Sequence, residues 1–323
     1  MTPSVPSPAS TSAAPAAPAL AVRDLAVHAG PVEIAAHVNL TLYPGRMLAL
    51  VGESGCGKSL TAAALGDLLP PGLTATAAQP STLRAGPRGL AYVFQDPGVH
   101  LNPVLTVGTQ LAEALAAAAV PRRQHRDRLL DLLARVGLPD PPRVAASYPH
   151  QLSGGMQQRV MIAMALALSP RALVADEPTT ALDVTVQAKI LQLLRHLQLV
   201  ENLAVLLITH TLGVVAQVAD DMAVMYAGRI VEQGPVPDVL RHPAHPYVRA
   251  LLRALPTLHG ADTAAPLHEI PGRVPPPGAR PPGCPFAPRC VAAQPDCSLA
   301  ELSLRPLSPL SPDRSTACLH PLA

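Results

Sequence analysis

The chain has 323 residues, a formal net charge of +2 and a hydrophobic fraction of 49%, enough to bury a core over about two domains. Only Lys58 and Lys189 are lysines, aromatic residues make up 2% and tryptophan is absent, which argues against a basic nucleic-acid footprint and against a base-stacking platform. Apolar runs such as "AVLLI" fall well short of the roughly 18 to 20 residues that span a bilayer, so the chain is expected to be soluble, or peripheral to a membrane built by other chains.

Residues 1–19 read as a disordered Pro/Ala-rich tail: five prolines and no charged side chain in the first twenty residues deny it the basic start and unbroken apolar middle of a secretory signal. From Leu20, "LAVRDLAVH" and "HVNLTLYPGRMLALVG" read as strands joined by turns at Ala29-Gly30-Pro31 and Pro44-Gly45. The second runs into "GESGCGKS" and then the helical "SLTAAALGDLL". G-x-x-x-x-G-K-S between a strand and a helix is a phosphate loop, whose glycines let backbone N–H groups and a helix N-terminus face negative charge. Gly52, Glu53, Ser54, Gly55, Cys56, Gly57, Lys58, Ser59 and Leu60 are therefore the expected nucleotide-binding residues. Lys58 is expected to reach the outer phosphates and Ser59 to bind Mg²⁺.

Helical periodicity dominates from about Val107 to Leu138. A second glycine turn, "LSGGMQQR", then opens another helix. One nucleotide cannot use both turns from one chain, so Ser153, Gly154, Gly155 and Gln157 form a second anion site, although Ser153 as a plain helix N-cap accounts for part of the same pattern. Strand-like "RALVAD" and "AVLLITH" alternate with the helical "VTVQAKILQLLRHLQL", the pattern of a parallel sheet covered by helices. The first of these strands ends in Asp176-Glu177, one carboxylate for Mg²⁺ and a second for the attacking water, with Glu177 as general base. Gln95 after "VF" offers an amide to metal and water, and His210 closes the second strand toward the γ-phosphate; taken singly, each such residue is more often an ordinary surface group. A hairpin follows, turning at Ala227-Gly228. Ten prolines between Pro256 and Pro288 then read as a linker or irregular extension, within and beyond which Cys284, Cys290, Cys297 and Cys318 are spaced C-x5-C-x6-C-x20-C.

Together the phosphate loop, Gln95, "LSGGMQQR", "ALVADEPTTALD" and His210 resemble the ATPase subunit of an ABC transporter across residues 20 to 235. The resemblance implies an α/β P-loop fold of the ABC type with an antiparallel β subdomain, a helical insertion around 100–165, an ATPase domain over 20–255 and a cysteine-bearing C-terminal extension over 256–323. It also implies that the "LSGG" turn serves nucleotide held by a facing partner, so that sites are composite and require a dimer. Finer wording, "VFQDPGVHLNPVLTVGTQLAEAL", "YPHQLSGGMQQRVMIAMALAL" and "HPYVRALLRALP … IPG … CPFAPRC", is similar to the dipeptide/oligopeptide importer ATPases, some of whose relatives carry nickel.

That family implies a subunit that binds and hydrolyses MgATP to import peptides from the cytoplasmic face of the inner membrane. Its partners would be a second ATPase subunit, identical or a paralogue, two membrane permeases docking near Gln95 to Leu105, and an extracytoplasmic solute-binding protein, with no nucleic acid. Four cysteines in one proline-rich segment suit a metal centre; the tight C-x2-C hairpin of zinc ribbons is absent, and the resemblance points to a [4Fe–4S] cluster on Cys284, Cys290, Cys297 and Cys318, with zinc as the alternative. Three departures stand out: Ala29 replaces the usual aromatic ring for adenine, with His28 or Tyr43 as substitutes, Thr211 replaces an aspartate, and "GVHLNP" replaces a more polar segment. A soluble ABC ATPase acting on DNA or ribosomes is the rival reading, but the paired ATPase halves, long coiled coil or basic surface usual there are missing from the sequence. A P-loop kinase leaves "LSGG" unexplained.

Overall fold

The computed structural model describes residues 17–180, 182–254, 269–299, 302–308 and 311–322. Most of the expected N-terminal tail, and residues 256–268 of the expected linker, lie outside them. Strands β1 (Leu20–Ala29), β2 (Val32–Leu42) and β4 (Leu73–Thr76) form an antiparallel sheet in the order β2-β1-β4. The main sheet comprises β3 (Met47–Val51), β5 (Leu90–Val93), β6 (Ala172–Asp176), β7 (Ala204–Thr209), β8 (Asp221–Tyr226), β9 (Arg229–Pro235), β10 (Arg305–Ser308) and β11 (Ser311–Thr316), in the order β10-β11-β9-β8-β3-β7-β6-β5. Its half from β5 to β8 is parallel, and β9, β11 and β10 continue it antiparallel.

Around the sheets lie α1 (Lys58–Leu65), α2 (Pro97–His100), α3 (Val107–Ala117), α4 (His125–Arg135), α5 (Pro141–Ala146), α6 (Gly154–Ala167), α7 (Val184–Val200), α8 (Leu212–Val218), α9 (Val236–Arg241) and α10 (Pro246–Arg253). Because side chains alternate along a strand, Leu173, Ala175, Val205 and Leu207 pack with Leu111, Leu133, Ile162 and Leu194 of the helices, while Ala172, Val174, Leu206 and Ile208 pack with Leu25, Val38 and Leu40 of the antiparallel sheet. Covered on both faces, β7 is apolar at every position but its last and buried throughout, as a central parallel strand requires. No helix among the described residues is long and apolar enough to cross a membrane.

Two local features differ from the sequence expectation. The periodicity over Val107 to Leu138 is split into α3 and α4, because Pro121 cannot continue a helix and Ala119 turns the chain with φ 57°. Beyond the proline-rich stretch the extension is not irregular: it adds β11 against β9 and β10 as the edge strand, where Pro306 is tolerated because an edge leaves part of the ladder unpaired. Three arginine–glutamate pairs fasten it to the ATPase body, Arg280–Glu33 at 2.8 Å, Arg289–Glu53 at 3.0 Å and Arg314–Glu232 at 3.0 Å. Glu232 is fully buried and also accepts from the N–H groups of Ala244 and His245, which sets the start of α10.

Candidate active site

The phosphate loop follows β3 and opens α1. Lys58 is buried, and its ammonium donates to the carbonyls of Gly52 at 2.8 Å and Glu53 at 3.0 Å, so the loop is wrapped around this cation. Gly52 admits no side chain, since a Cβ would stand 2.1 Å from the Met225 carbonyl oxygen, and Gly55 and Gly57 adopt φ +78° and +103°, where a side chain is strained. Cys56 is buried beneath the loop, and burial pushes its thiol pKa up against the pull of Lys58. Ser54 and Ser59 are exposed, Leu60 is half-buried on the first turn of α1, and Glu53 is engaged by its N–H and its carboxylate with residues from beyond the loop.

Across from the loop, β6 delivers two consecutive carboxylates to different environments. Asp176 lies beside the Ser59 hydroxyl, and its buried Oδ1 has no protein partner. A buried carboxylate oxygen left open beside a hydroxyl is the donor set that a small, oxygen-loving cation needs, so Ser59 and Asp176 fit Mg²⁺. Burial pushes Asp176 up from its usual pKa, a tendency that a bound cation would reverse.

Glu177 sits one residue on with φ +44°, a left-handed conformation that costs a non-glycine residue of order 1–3 kcal/mol. The turn re-aims its carboxylate out of the strand, where Oε1 meets His210 Nδ1 at 3.1 Å and Oε2 accepts from the Thr180 hydroxyl at 2.9 Å. Partial burial works against the charge, but these two hydrogen bonds together with the attraction of His210 and Lys58 outweigh it and hold the carboxyl below its ordinary pKa, so it is ionised and proton-accepting at neutral pH. Gln95 is exposed just past the end of β5, on the neighbouring strand.

The second glycine turn begins α6. Ser153 caps the helix, its Oγ accepting from Met156 N–H at 3.4 Å, and Gln157 donates to the carbonyls of Pro149 and Leu152 at 2.8 and 3.2 Å, fixing the preceding loop. A Cβ at Gly155 would stand 2.5 Å from Val186, so the close approach of α7 alone requires glycine there; at Gly154 the nearest atom, on Leu182, would lie 3.4 Å away. The capping role of Ser153 therefore coexists with any anion-facing one.

Residues 35–180 match the model of the ABC transporter family, and residues 231–297 match the family described as oligopeptide/dipeptide transporter, C-terminal region. The dipeptide transport ATP-binding protein DppD of Bacillus subtilis (strain 168) is 46% identical over 281 residues, covering 81% of this chain and 82% of that protein. A protein of Brucella abortus (strain 2308) named as a peptide import ATP-binding protein is 45% identical over 321 residues, 94% of this chain and 95% of its own length. The chain belongs to the ATP-binding subunits of ABC transporters. Among solved ABC structures, cbiO1 from Clostridium perfringens, part of the transporter complex cbiONQ, superposes with TM-score 0.58 at 26% identity, covering 69% of this chain and 91% of that one. The dimeric ATP-binding cassette MJ0796 bound to ADP and Pi gives 0.56 at 27% identity, covering 67% and 98%.

In this ABC ATPase the fold brings Lys58, Ser59, Asp176, Glu177 and His210 to the ends of adjacent strands β3, β6 and β7. At the end of β1, Ala29 pairs with Val32 and Leu73 and offers no ring. Ala29→Tyr is therefore expected to tighten ATP several-fold, since stacking on a base contributes on the order of 1–3 kcal/mol. Fluorescent-nucleotide titration checks this, and an unchanged dissociation constant would mean that another side chain already stacks.

In the ABC ATPase's extension, Cys284, Cys290, Cys297 and Cys318 line one small cavity together with His245, Phe286, Leu302 and other residues. Burial, reinforced by the other three thiols, pushes Cys318 up to about 11. No three of the four sulfurs lie mutually within 4.8 Å; among the described residues only Asp296, Cys297 and His320 form so tight a donor group. Zinc–thiolate bonds of about 2.3 Å would draw four sulfurs to about 3.8 Å of one another, closer than this arrangement.

Thr180, Tyr247 and Arg289 hydrogen-bond candidate site residues, and the sequence reading missed them. Thr180 stands inside the quoted "DEPTT", three residues from its partner. Tyr247 and Arg289 stand in "HPY" and "FAPRC", but both meet Glu53, at sequence separations of 194 and 236 residues, which no local pattern encodes.

Proposed function

We propose that this ATPase powers import of di- or oligopeptides through a membrane transporter, from the cytoplasmic face of the inner membrane. The observation that carries the reading is the joining, in one chain, of a complete phosphate-and-carboxylate site to a region matching the oligopeptide/dipeptide transporter C-terminal family over residues 231–297. Lys58 and the loop amides bind the phosphates of the substrate MgATP, with Ser59, Asp176 and Gln95 around the cation. Glu177 takes a proton from the attacking water, and His210, oriented by donating Nδ1–H to Glu177, contacts the outermost phosphate. Ser153, Gly154 and Gly155 face nucleotide held by a second ATPase subunit, identical or a paralogue, so the γ-phosphate closes the dimer and its loss reopens it.

Two permease subunits and an extracytoplasmic solute-binding protein complete the machine. The exposed apolar side chains Phe94, Val99 and Val104, around the exposed Gln95, support permease docking on that segment. Proteoliposomes holding the purified complex test the function: peptide uptake should require ATP and this subunit. A chain that co-purifies only with soluble proteins and never with membrane subunits would overturn it.

We further propose that Cys284, Cys290, Cys297 and Cys318 hold an iron–sulfur cluster. Their shared cavity and spacing looser than zinc needs support this, as does His245. That ring is buried with Nδ1 accepting from Tyr247 N–H, which leaves the proton on Nε2, and Nε2 has no protein partner. A buried donor beside four sulfurs suits a sulfur-rich group as acceptor. The cluster would cross-link a segment poor in apolar residues, a structural role. Anaerobically purified protein is expected to be brown with iron and sulfide each near ~4 per chain. Colourless protein with stoichiometric zinc, or no metal after reconstitution, would contradict the cluster and leave the ATPase reading intact.

A further inference from the structure

Two motifs of the C-terminal region converge on one residue of the phosphate loop. Tyr247 is fully buried, and its hydroxyl accepts from Glu53 N–H at 3.1 Å. Arg289, with 7% of its side chain exposed, donates from Nη1 to Glu53 Oε1 at 3.0 Å and from Nη2 to Oε2 at 3.4 Å. The guanidinium is itself held, by the carbonyls of Pro271 at 2.7 Å and Ile270 at 3.3 Å and by the Tyr226 hydroxyl at 3.2 Å, and it lies 5.7 and 5.9 Å from the ring centroids of Tyr226 and Phe286. A guanidinium fixed on so many sides cannot follow a moving carboxylate, so Glu53 must stay where Arg289 puts it.

The third polar group of Glu53, its carbonyl, accepts from Lys58. The contacts therefore run from Cys290, next to Arg289 in sequence, through Arg289 and Glu53 to the lysine expected at the phosphates. The loop between Glu53 and Lys58 contains Gly55 and Gly57, the most permissive backbone in the site. Ordering such a loop on binding costs affinity unless something orders it beforehand, and Arg289 with Tyr247 does so from outside the loop.

We propose that Arg289 is a positioning residue for the nucleotide: by clamping Glu53 it preorganises the phosphate loop, so that the folded state of the cysteine-bearing extension sets nucleotide affinity. The inference rests on the ATPase reading and is independent of what the cysteines hold.

The test is the MgATP dissociation constant of the full chain, by calorimetry, for Arg289→Ala, Glu53→Gln, the double variant and Arg289→Lys, together with steady-state ATPase. Each single variant is expected to weaken binding about five- to tenfold, and the double variant no more than about twofold beyond either, because both break one contact. Arg289→Lys, which keeps the charge without the fork, falls between. In the Arg289 variants KM rises while kcat at saturation stays within about twofold, since the clamp holds the loop and leaves Glu177 and His210 untouched. Glu53→Gln leaves every contact of Arg289 with Tyr226, Ile270 and Pro271 in place, so it separates clamping from collapse of the extension. Wild-type affinity in Glu53→Gln, or losses that add in the double variant, would overturn the proposal. Absence of MgATP binding by the parent chain would instead overturn the ATPase reading beneath it.

Discussion

Glu177→Gln is expected to bind MgATP as the parent does and to hydrolyse it about a hundredfold more slowly or worse, the scale on which a positioned general base acts. The substitution keeps the shape and volume of the side chain, and it leaves the φ of +44° as it is, so the strained turn that aims residue 177 out of β6 is retained. His210 Nδ1–H can still donate to the amide oxygen, and the Thr180 hydroxyl can turn to accept from the amide NH2. What is lost is the ionised carboxylate that these hydrogen bonds, with the nearby Lys58, hold below its ordinary pKa. Binding depends on Lys58 and the loop amides, which the change does not touch, so ATP should accumulate uncleaved and the dimer should persist in its closed state. Phosphate release and nucleotide retention, measured on the same preparation, check both halves. Turnover near the parent's rate would mean that another group accepts the proton.

The second large effect separates the two glycine turns. Lys58→Ala removes the buried ammonium and is expected to weaken nucleotide binding by the isolated chain about ten- to a hundredfold, the range for a hydrogen bond to a charged group. Gly154→Asp should do the reverse, sparing binding by the monomer and abolishing ATP-driven association through repulsion of the partner's γ-phosphate. Gly154 suits this test better than Gly155: the nearest atom to an added Cβ is 3.4 Å away at the first and 2.5 Å away at the second. An aspartate in the first turn of α6 also complements the helix dipole, so loss of fold is not the expected cause of any defect. Failure of Gly154→Asp to bind nucleotide as a monomer would show that the turn serves its own chain.

Much of this site was legible because its residues lie in runs. The strand before Gly52, the strand ending at Asp176 and the strand ending at His210 each announce themselves by apolar content and place the functional residue at the terminus, so chain order alone brings them near one another once the sheet is parallel. Less legible was the way Glu177 is aimed, which depends on one left-handed backbone angle and on Thr180, a residue with no distinctive pattern of its own. The extension was hardest to read. Its strands "RPLS" and "SPDRST" carry prolines and polar residues in place of a β pattern, and they form because β9 offers a partner edge and Arg314 finds the buried Glu232. Contacts such as Arg289 to Glu53 are set by tertiary approach between distant segments, whereas the cysteine spacing was visible but did not by itself reveal that the four thiols share a cavity with His245.

In the dimer one chain's phosphate loop is expected to work with the other chain's glycine turn. This pairing is tested most directly by mixing two inactive variants, Lys58→Ala and Gly154→Asp, each at the same concentration. In a mixed dimer one site joins the intact phosphate loop of the Gly154→Asp chain to the intact glycine turn of the Lys58→Ala chain, while the other site carries both lesions. With random pairing half the dimers are mixed and each has one working site, so hydrolysis should return to about a quarter of the parent's rate. A mixture as inactive as its components, at concentrations where the parent associates with MgATP, would contradict it.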